Sequence, residues 1–282
     1  MAESDLMQGG YSIFHGTMAD MTYPEVAKAA ADGAVVLWGL GVIEQHGPHL
    51  PLATDVYMPA ALLRRVKQIL EAQGIGALIM PPFYWGVNHV TGLFPGTFEV
   101  RPEIMIEVMV DLIKSLKKDG FSNLFSVSGH GDALHNRTMH TGLKRGGAEA
   151  GINTYFVGAP SFFKRIGVDA EDANVLATAR EVDRKSRYFD IHAGEFETSS
   201  MWGFYPDLIR KEVLPTLKST DFSAEDLAEW RKGREEAVRK TPHGYLGDPA
   251  ASDPKMGAEI LLNHAAIVAE AIAEKLKSKV SA

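Results

Sequence analysis

Hydrophobic positions along the chain switch repeatedly between two patterns. Residues 34–38 (AVVLW) form an unbroken apolar run after Gly33, as expected of a strand buried on both faces. Residues 56–73 show helical spacing through Leu62, Leu63, Val66, Ile69 and Leu70, with Gly74 as the stop. Residues 77–80 predict a short second strand, closed by Pro81 and Pro82. Residues 83–100 carry Gly86, Gly92, Gly96 and Pro95 without a period and are expected to form a long loop. Pro102 opens the clearest helix, which places Met105, Val108, Met109, Leu112, Ile113 and Leu116 on one face and ends at Gly120. A strand over 124–127, a helix over 134–150 and a strand over 154–157 follow. An amphipathic helix over 255–277 carries Ile260, Leu261, Ile267, Val268, Ile272 and Leu276. Alternating strands and helices predict an α/β fold with a mostly parallel sheet covered on both faces. No repeat or linker interrupts the pattern, so a single domain over 1–282 is expected.

Composition narrows the chemistry. Of 282 residues 45% are hydrophobic, enough for one large core. A net charge of -7 opposes nucleic acid or an anionic membrane as the main partner. There is no cysteine, so disulfides and thiolate chemistry are excluded and any metal must sit on nitrogen and oxygen donors. The N-terminal MAESDLMQGG has no basic segment ahead of an apolar one, so no signal peptide is expected. No uninterrupted apolar run approaches the ~20 residues of a membrane helix. The expected location is the cytoplasm.

Three polar clusters carry candidate chemistry. Glu44, His46 and Asp55 lie in the segment after the first strand, where ligands bind in open α/β sheets. In extended backbone Glu44 and His46 point the same way. Ser128-Gly129-His130-Gly131-Asp132 follows another strand and should open on the same sheet edge. His192, Glu195 and Glu197 form the third cluster, with Glu195 also suited to the first turn of a helix. Each alone would pass for a polar loop or turn; together they give more N/O donors than one tetrahedral ion needs.

The motifs EQHGPHLPLATD (44–55), SGHGD (128–132) and HAGEFETS (192–199), in this order, resemble the creatininase (creatinine amidohydrolase) family. FPGT (94–97) and GDPAAS (247–252) are similar to two further family segments, and the resemblance runs from about Met21 to Ala273. It implies a three-layer α/β/α fold, a centre of two divalent metal ions (zinc, with manganese or iron) and a homo-oligomer, often a hexamer. It also implies that Glu44 and His46 bind different metals, that Asp55 bridges them, and that His130 is a further ligand. Asp132 or Glu197 would complete the metal site, and Glu197 is also a catalytic candidate. His192 matches the histidine that handles protons beside the substrate. Trp85 and His89 of the long loop, with Tyr188 and His192, are the candidate substrate contacts, and the loop over 84–97 is expected to cap the pocket.

Some positions depart from the creatinine-specific pattern. Tyr188 and Phe189 stand where those members carry a Trp-Asp pair, and Pro160-Ser161-Phe162-Phe163 lacks tryptophan. The common GHGGN reads Gly129-His130-Gly131-Asp132-Ala133, followed by His135 and Asn136. These departures point away from creatinine itself. The expected function is hydrolysis of a C–N bond in a small cyclic amide or related molecule by a metal-bridging hydroxide. The alternative is hydrolytic C–C ring opening of a cyclic β-diketone such as a keto-inositol of the 3-dehydro-scyllo-inosose type. A non-catalytic, metal-stabilised assembly protein is a third class, which the spare acid/base groups disfavour. A GxSxG elbow and a cysteine nucleophile are both lacking, which disfavours a covalent acyl-enzyme.

Overall fold

The structure, a computed structural model, describes residues 12–183 and 185–280, so the N-terminal stretch read for a signal peptide lies outside the described residues. Five parallel strands make the sheet: β1 (Val35–Leu40), β2 (Ala77–Ile79), β3 (Asn123–Ser128), β4 (Asn153–Gly158) and β5 (Val175–Ala177). Their order is β2-β1-β3-β4-β5. The chain leaves β1 through α2 (Thr54–Ala72) to reach β2 on one side. It then returns through α3 (Pro102–Lys118) to place β3 on the other side of β1. Connections diverge at this point, so the carboxyl ends of β1 and β3 border a crevice. α1 (Tyr23–Ala31) precedes the sheet.

Alternation along the strands fills two apolar layers. Val35, Leu37, Phe125, Val127 and Val157 face α2, α6 (Glu195–Phe204) and α9 (Pro254–Val280), where Leu63, Val66, Met201, Val268 and Ile272 meet them. Val36, Trp38, Leu40, Leu124 and Phe156 face α3 and α4 (Ala133–Ala150), against Met105, Met109, Ile113, Met139 and Leu143. Each fully buried side chain of this size stabilises by about 1.5–3 kcal/mol relative to exposure. The result is the expected three-layer α/β/α arrangement. A small third cluster joins Leu227 and Trp230 of α7 (Ala224–Trp230), Ala237 of α8 (Arg234–Lys240) and Leu246.

The expected elements are present with shifted ends. β1 continues two residues beyond Trp38, and α2 starts at Thr54, which brings Asp55 into its first turn. The elements not predicted are α1, α5 (Pro160–Ile166), β5, α6, α7 and α8. Four of these span only three to seven residues, too short to show a period. The apolar stretch of α9 is interrupted by Glu259 and Glu270, yet over Pro254–Ser278 the helix's length and composition alone would allow it to cross a membrane. Half of its most apolar 18-residue window is buried inside the fold, and Ala265, Val268, Ala269 and Ile272 belong to the core.

Candidate metal centre

Three segments converge at the crevice. The β1 chain runs on past Leu40 into Glu44 and His46, the β3 chain runs on into His130, and α2 supplies Asp55. Close approach of these backbones depends on two glycines. A Cβ at Gly129 would sit 2.1 Å from the Asp55 carbonyl oxygen, and one at Gly41 2.3 Å from it. Pro59 lacks the N–H that would bond this carbonyl within the helix. The first turn of α2 can therefore lie directly across the ends of β1 and β3, with the Asp55 carboxylate aimed at the facing imidazoles.

The side chains form a buried N/O cluster. His130 Nδ1 lies 2.8 Å from Asp55 Oδ2 and 3.0 Å from Glu44 Oε1. His46 Nε2 lies 3.2 Å from Asp55 Oδ1 and 3.7 Å from Glu197 Oε2. His192 Nδ1 is 3.7 Å from Glu44 Oε1. Potential ligand atoms group as Glu44-Asp55-His130, His46-Asp55-Glu197 and Glu44-His46-His192, with the atoms of each group within 4.8 Å of one another. Asp55 belongs to two groups and turns a different oxygen to each imidazole.

This donor set fits cations better than it fits itself. Glu44, Asp55 and Glu197 are three carboxylates in one place, and among the described residues no lysine or arginine pairs with them. His46 Nδ1 lies 3.1 Å from the Glu44 carbonyl, and donating to it leaves the Nε2 lone pair facing two carboxylates. That is favourable only with a proton or a metal ion at Nε2. The titration behaviour agrees. Burial lowers the His46 pKa, but Asp55, Glu197 and Glu44 outweigh it and raise the pKa to about 9. Burial opposes the charge on His130 too, and Glu44 and Asp55 again hold it well above the ordinary value. Burial raises the Glu44 and Asp55 pKa values, yet the neighbouring imidazoles hold both below the usual range. Glu197 behaves differently: burial, reinforced by the Asp55 charge and opposed by His46, pushes it to about 8.

The third motif is positioned by strain and backbone pairing. Ala193, beside His192, has φ 48°, a left-handed conformation costly for a residue with a Cβ. Its N–H donates to Glu197 Oε2 at 2.6 Å and so orients the carboxylate. His192 pairs with Leu246, whose N–H donates to the His192 carbonyl at 2.8 Å. His192 Nε2 lies 2.8 Å from the Gln45 carbonyl. Gln45 Nε2 stands 3.0 Å from the same nitrogen, and the tautomer that donates Nε2–H to the carbonyl has its Nδ1 lone pair directed at the cluster. Burial lowers the His192 pKa to about 4, so the ring is neutral at pH 7.

Other sequence candidates are placed elsewhere. Asp132 is not brought to the cluster. It caps α4 by accepting from the Leu134 and His135 N–H groups and ties down the long loop by accepting from His89 and Val90. Glu195 opens α6 outside the cluster. Trp85 lies 42% exposed against Tyr84 and Phe98, and Tyr188 borders a smaller neighbouring pocket with Phe189 and Met256. Neither lines the main cavity, whereas His89 does. The long loop enters the site through Thr91, whose hydroxyl donates to Glu44 Oε2, and through Thr97, which accepts from the Gln45 N–H at 3.0 Å. The reading from sequence missed Trp230, whose ring centroid lies 6.4 Å from that of His192 in the cavity wall. Its only signal was a tryptophan in a short helix between polar stretches, which has no recognisable spacing.

Fold and donor cluster together define a metal-dependent hydrolase built on a doubly wound α/β/α sheet. The family model described as creatinine amidohydrolase matches residues 19–272. The chain belongs to the creatininase family. It is 30% identical over 211 residues to the creatinine amidohydrolase of Pseudomonas putida, covering 70% of this chain and 74% of that one. It is 28% identical over 228 residues to the mycofactocin precursor peptide peptidase of Mycolicibacterium smegmatis, covering 80% and 79%. A shorter stretch of 113 residues is 26% identical to the 3-dehydro-scyllo-inosose hydrolase of Thermotoga maritima, 39% of this chain and 34% of that one. A solved creatinine amidohydrolase superposes with a TM-score of 0.69 at 23% identity over 92% of this chain and 97% of its own. Creatininases have been solved in a manganese form and a Zn-Zn form.

Proposed function

We propose that this chain hydrolyses an amide C–N bond at a centre of two divalent ions, zinc with manganese or iron as alternatives. One site is Glu44, Asp55 and His130; the other is His46, Asp55 and Glu197. The observation that carries this reading is Asp55, with Oδ2 2.8 Å from His130 and Oδ1 3.2 Å from His46. A carboxylate that offers each oxygen to a different imidazole is arranged to bridge. Glu197 is the completing carboxylate, because the Asp132 oxygens are already occupied by backbone N–H groups.

When bound, such ions supply Lewis acidity and activate water for attack on a carbonyl. The chain's own groups do the rest. His192 holds Nδ1 as a neutral base beside the cluster, where it can take a proton from water and deliver it to the departing nitrogen. Thr91 and the Ala193 N–H fix the Glu44 and Glu197 carboxylates, and the Trp230 ring walls the His192 side of the cavity. Amide substrates agree with relatives named as a creatinine amidohydrolase and a peptide peptidase.

The partial likeness to an inosose hydrolase supports a second reading, C–C ring opening of a cyclic β-diketone. Metal analysis and product profiling separate the possibilities. About two ions per chain are expected in the wild type. Asp55→Ala should lose both, Glu197→Gln mainly one, and Asp132→Ala neither. Cyclic and linear amides should be cleaved in preference to cyclic diketones. One ion or none after incubation with zinc or manganese, or turnover confined to diketones, would reject the proposal.

A further inference from the structure

The cavity that opens on the metal donors has a volume of about 1000 Å³, at the upper end of the ~300–1,000 Å³ range for ligand pockets. A single small ring would leave most of it as water. Its walls therefore hold information about the rest of the substrate.

Glu181, Asp183 and Asp190 line the cavity, and all three are engaged. Glu181 accepts from the Ser161 N–H and hydroxyl, Asp183 pairs with Lys185 at 3.2 Å, and Asp190 accepts from the Phe196 N–H at 2.7 Å. Arg165 and Arg231 line the same cavity in a different condition. Arg165 donates one N–H to the Gly131 carbonyl at 2.7 Å and lies over the Phe162 ring at 5.4 Å, with no carboxylate bonded to it. The Arg231 side chain has no hydrogen-bond or ion-pair partner among the described residues. Partial desolvation and the Arg231 charge lower the Arg165 pKa, and the Asp132 charge opposes them.

The anchoring of the pair relates it to the chemistry. Gly131 directly follows His130, so Arg165 is held beside one metal-donor loop. Arg231 directly follows Trp230, which stands beside His192. Two guanidiniums that line one reaction cavity, neither hydrogen-bonded to a carboxylate among the described residues, suit a ligand oxyanion.

We propose that Arg165 and Arg231 form a subsite for an oxyanion, a carboxylate or a phosphate, on an extended substrate whose amide lies at the metal donors. The proposal rests on the amide-hydrolase reading only for the identity of the reacting bond. The anion subsite is a property of the cavity whichever bond is cleaved.

The test uses the metal-loaded protein and matched ligands: N-acyl amino acids, the same compounds with the carboxylate amidated, and phosphate-bearing analogues. Both binding calorimetry and hydrolysis are measured. Carboxylate or phosphate ligands should bind roughly 10- to 100-fold more tightly than their neutral counterparts. Whichever oxyanion shows the larger preference identifies the source. Arg231→Ala, which removes no internal contact, should erase most of that preference while leaving metal content and neutral-ligand binding unchanged. Where turnover occurs, the loss should appear in KM with kcat kept. Arg165→Ala should act likewise, but its contact beside His130 makes Arg231→Ala the decisive variant. Equal binding of charged and neutral ligands, or an Arg231→Ala effect equal on both, overturns the subsite. Discrimination in binding with no amide cleaved leaves the subsite standing and rejects the amide reading; cleavage without discrimination does the reverse.

Discussion

Single side chains set the chemistry here through competition for protons and metal. His192 is the clearest case. Glu44, His46 and Asp55 face one another across shared ligand atoms, whereas His192 meets the cluster at its edge, 3.7 Å from Glu44 Oε1 and with its ring 4.4 Å from that of His46. Its other nitrogen lies against the Gln45 carbonyl. A proton-transfer role predicts that His192→Ala keeps its metal while losing about 10²–10⁴-fold in rate, mainly in kcat. The loss should shrink for substrates whose leaving group departs without protonation. Metal analysis beside steady-state kinetics checks this: loss of metal would make His192 a ligand, and unchanged turnover would remove it from the mechanism. Asp132 shows the opposite outcome at the same scale. Its motif promises a ligand, but its carboxylate serves as the cap of α4, a role whose removal costs about 1 kcal/mol.

At the level of elements, the site depends on how closely α2 lies across the strand ends. Gly41 and Gly129 make room for the Asp55 carbonyl, and Pro59 leaves that carbonyl without a helical donor. Gly129→Ala would place a methyl group where the carbonyl is, and the helix must move away. The expected result is a loss of about 1–3 kcal/mol of stability from overpacking, together with weakened metal binding, since both proposed ion sites draw on Asp55. A Gly131→Ala control, where nothing lies within 4 Å of the added Cβ, should leave metal affinity nearly unchanged. Thermal melts and metal titrations of the two variants test this, and equal behaviour would show that the close approach does not position Asp55. The long loop after β2 contributes in the same way, through Thr91 on Glu44 and Thr97 on Gln45, with Trp85 outside the cavity.

The whole molecule responds to the charge buried in its crevice. Without metal, the folded state holds extra protons on His46, raised to about 9, and on Glu197, raised to about 8. A raised folded pKa gives stability that is full below the unfolded value and lost as pH rises through the folded one. For His46 that window runs from about 6.5 to about 9. Glu197 acts in the same direction, because its burial penalises the carboxylate as pH approaches about 8. The chelated protein should therefore melt at progressively lower temperature between pH 6.5 and 9. Bound metal replaces those protons, so the loaded protein should melt higher and lose less over the same range. Melting curves with and without chelator decide this, and a chelated form that gains stability with pH would contradict it. Much of this molecule was open to reading in advance. The apolar runs determined β1, β2, β3 and β4, because burial on both faces of a parallel sheet leaves continuous apolar stretches, and helical spacing determined α2, α3 and α9. The first two motifs marked Glu44, His46, Asp55 and His130, because such donors follow strand ends where ligands bind, while His192 and Glu197 were marked by the resemblance to the creatininase family. Other features depend on contacts that no local pattern records. Glu197 and not Asp132 faces His46, because the backbone N–H groups of α4 and the long loop claim Asp132 first. Trp230, Arg165 and Arg231 reach the cavity from short helices far along the chain, and their proximity exists only once the sheet has brought those helices together.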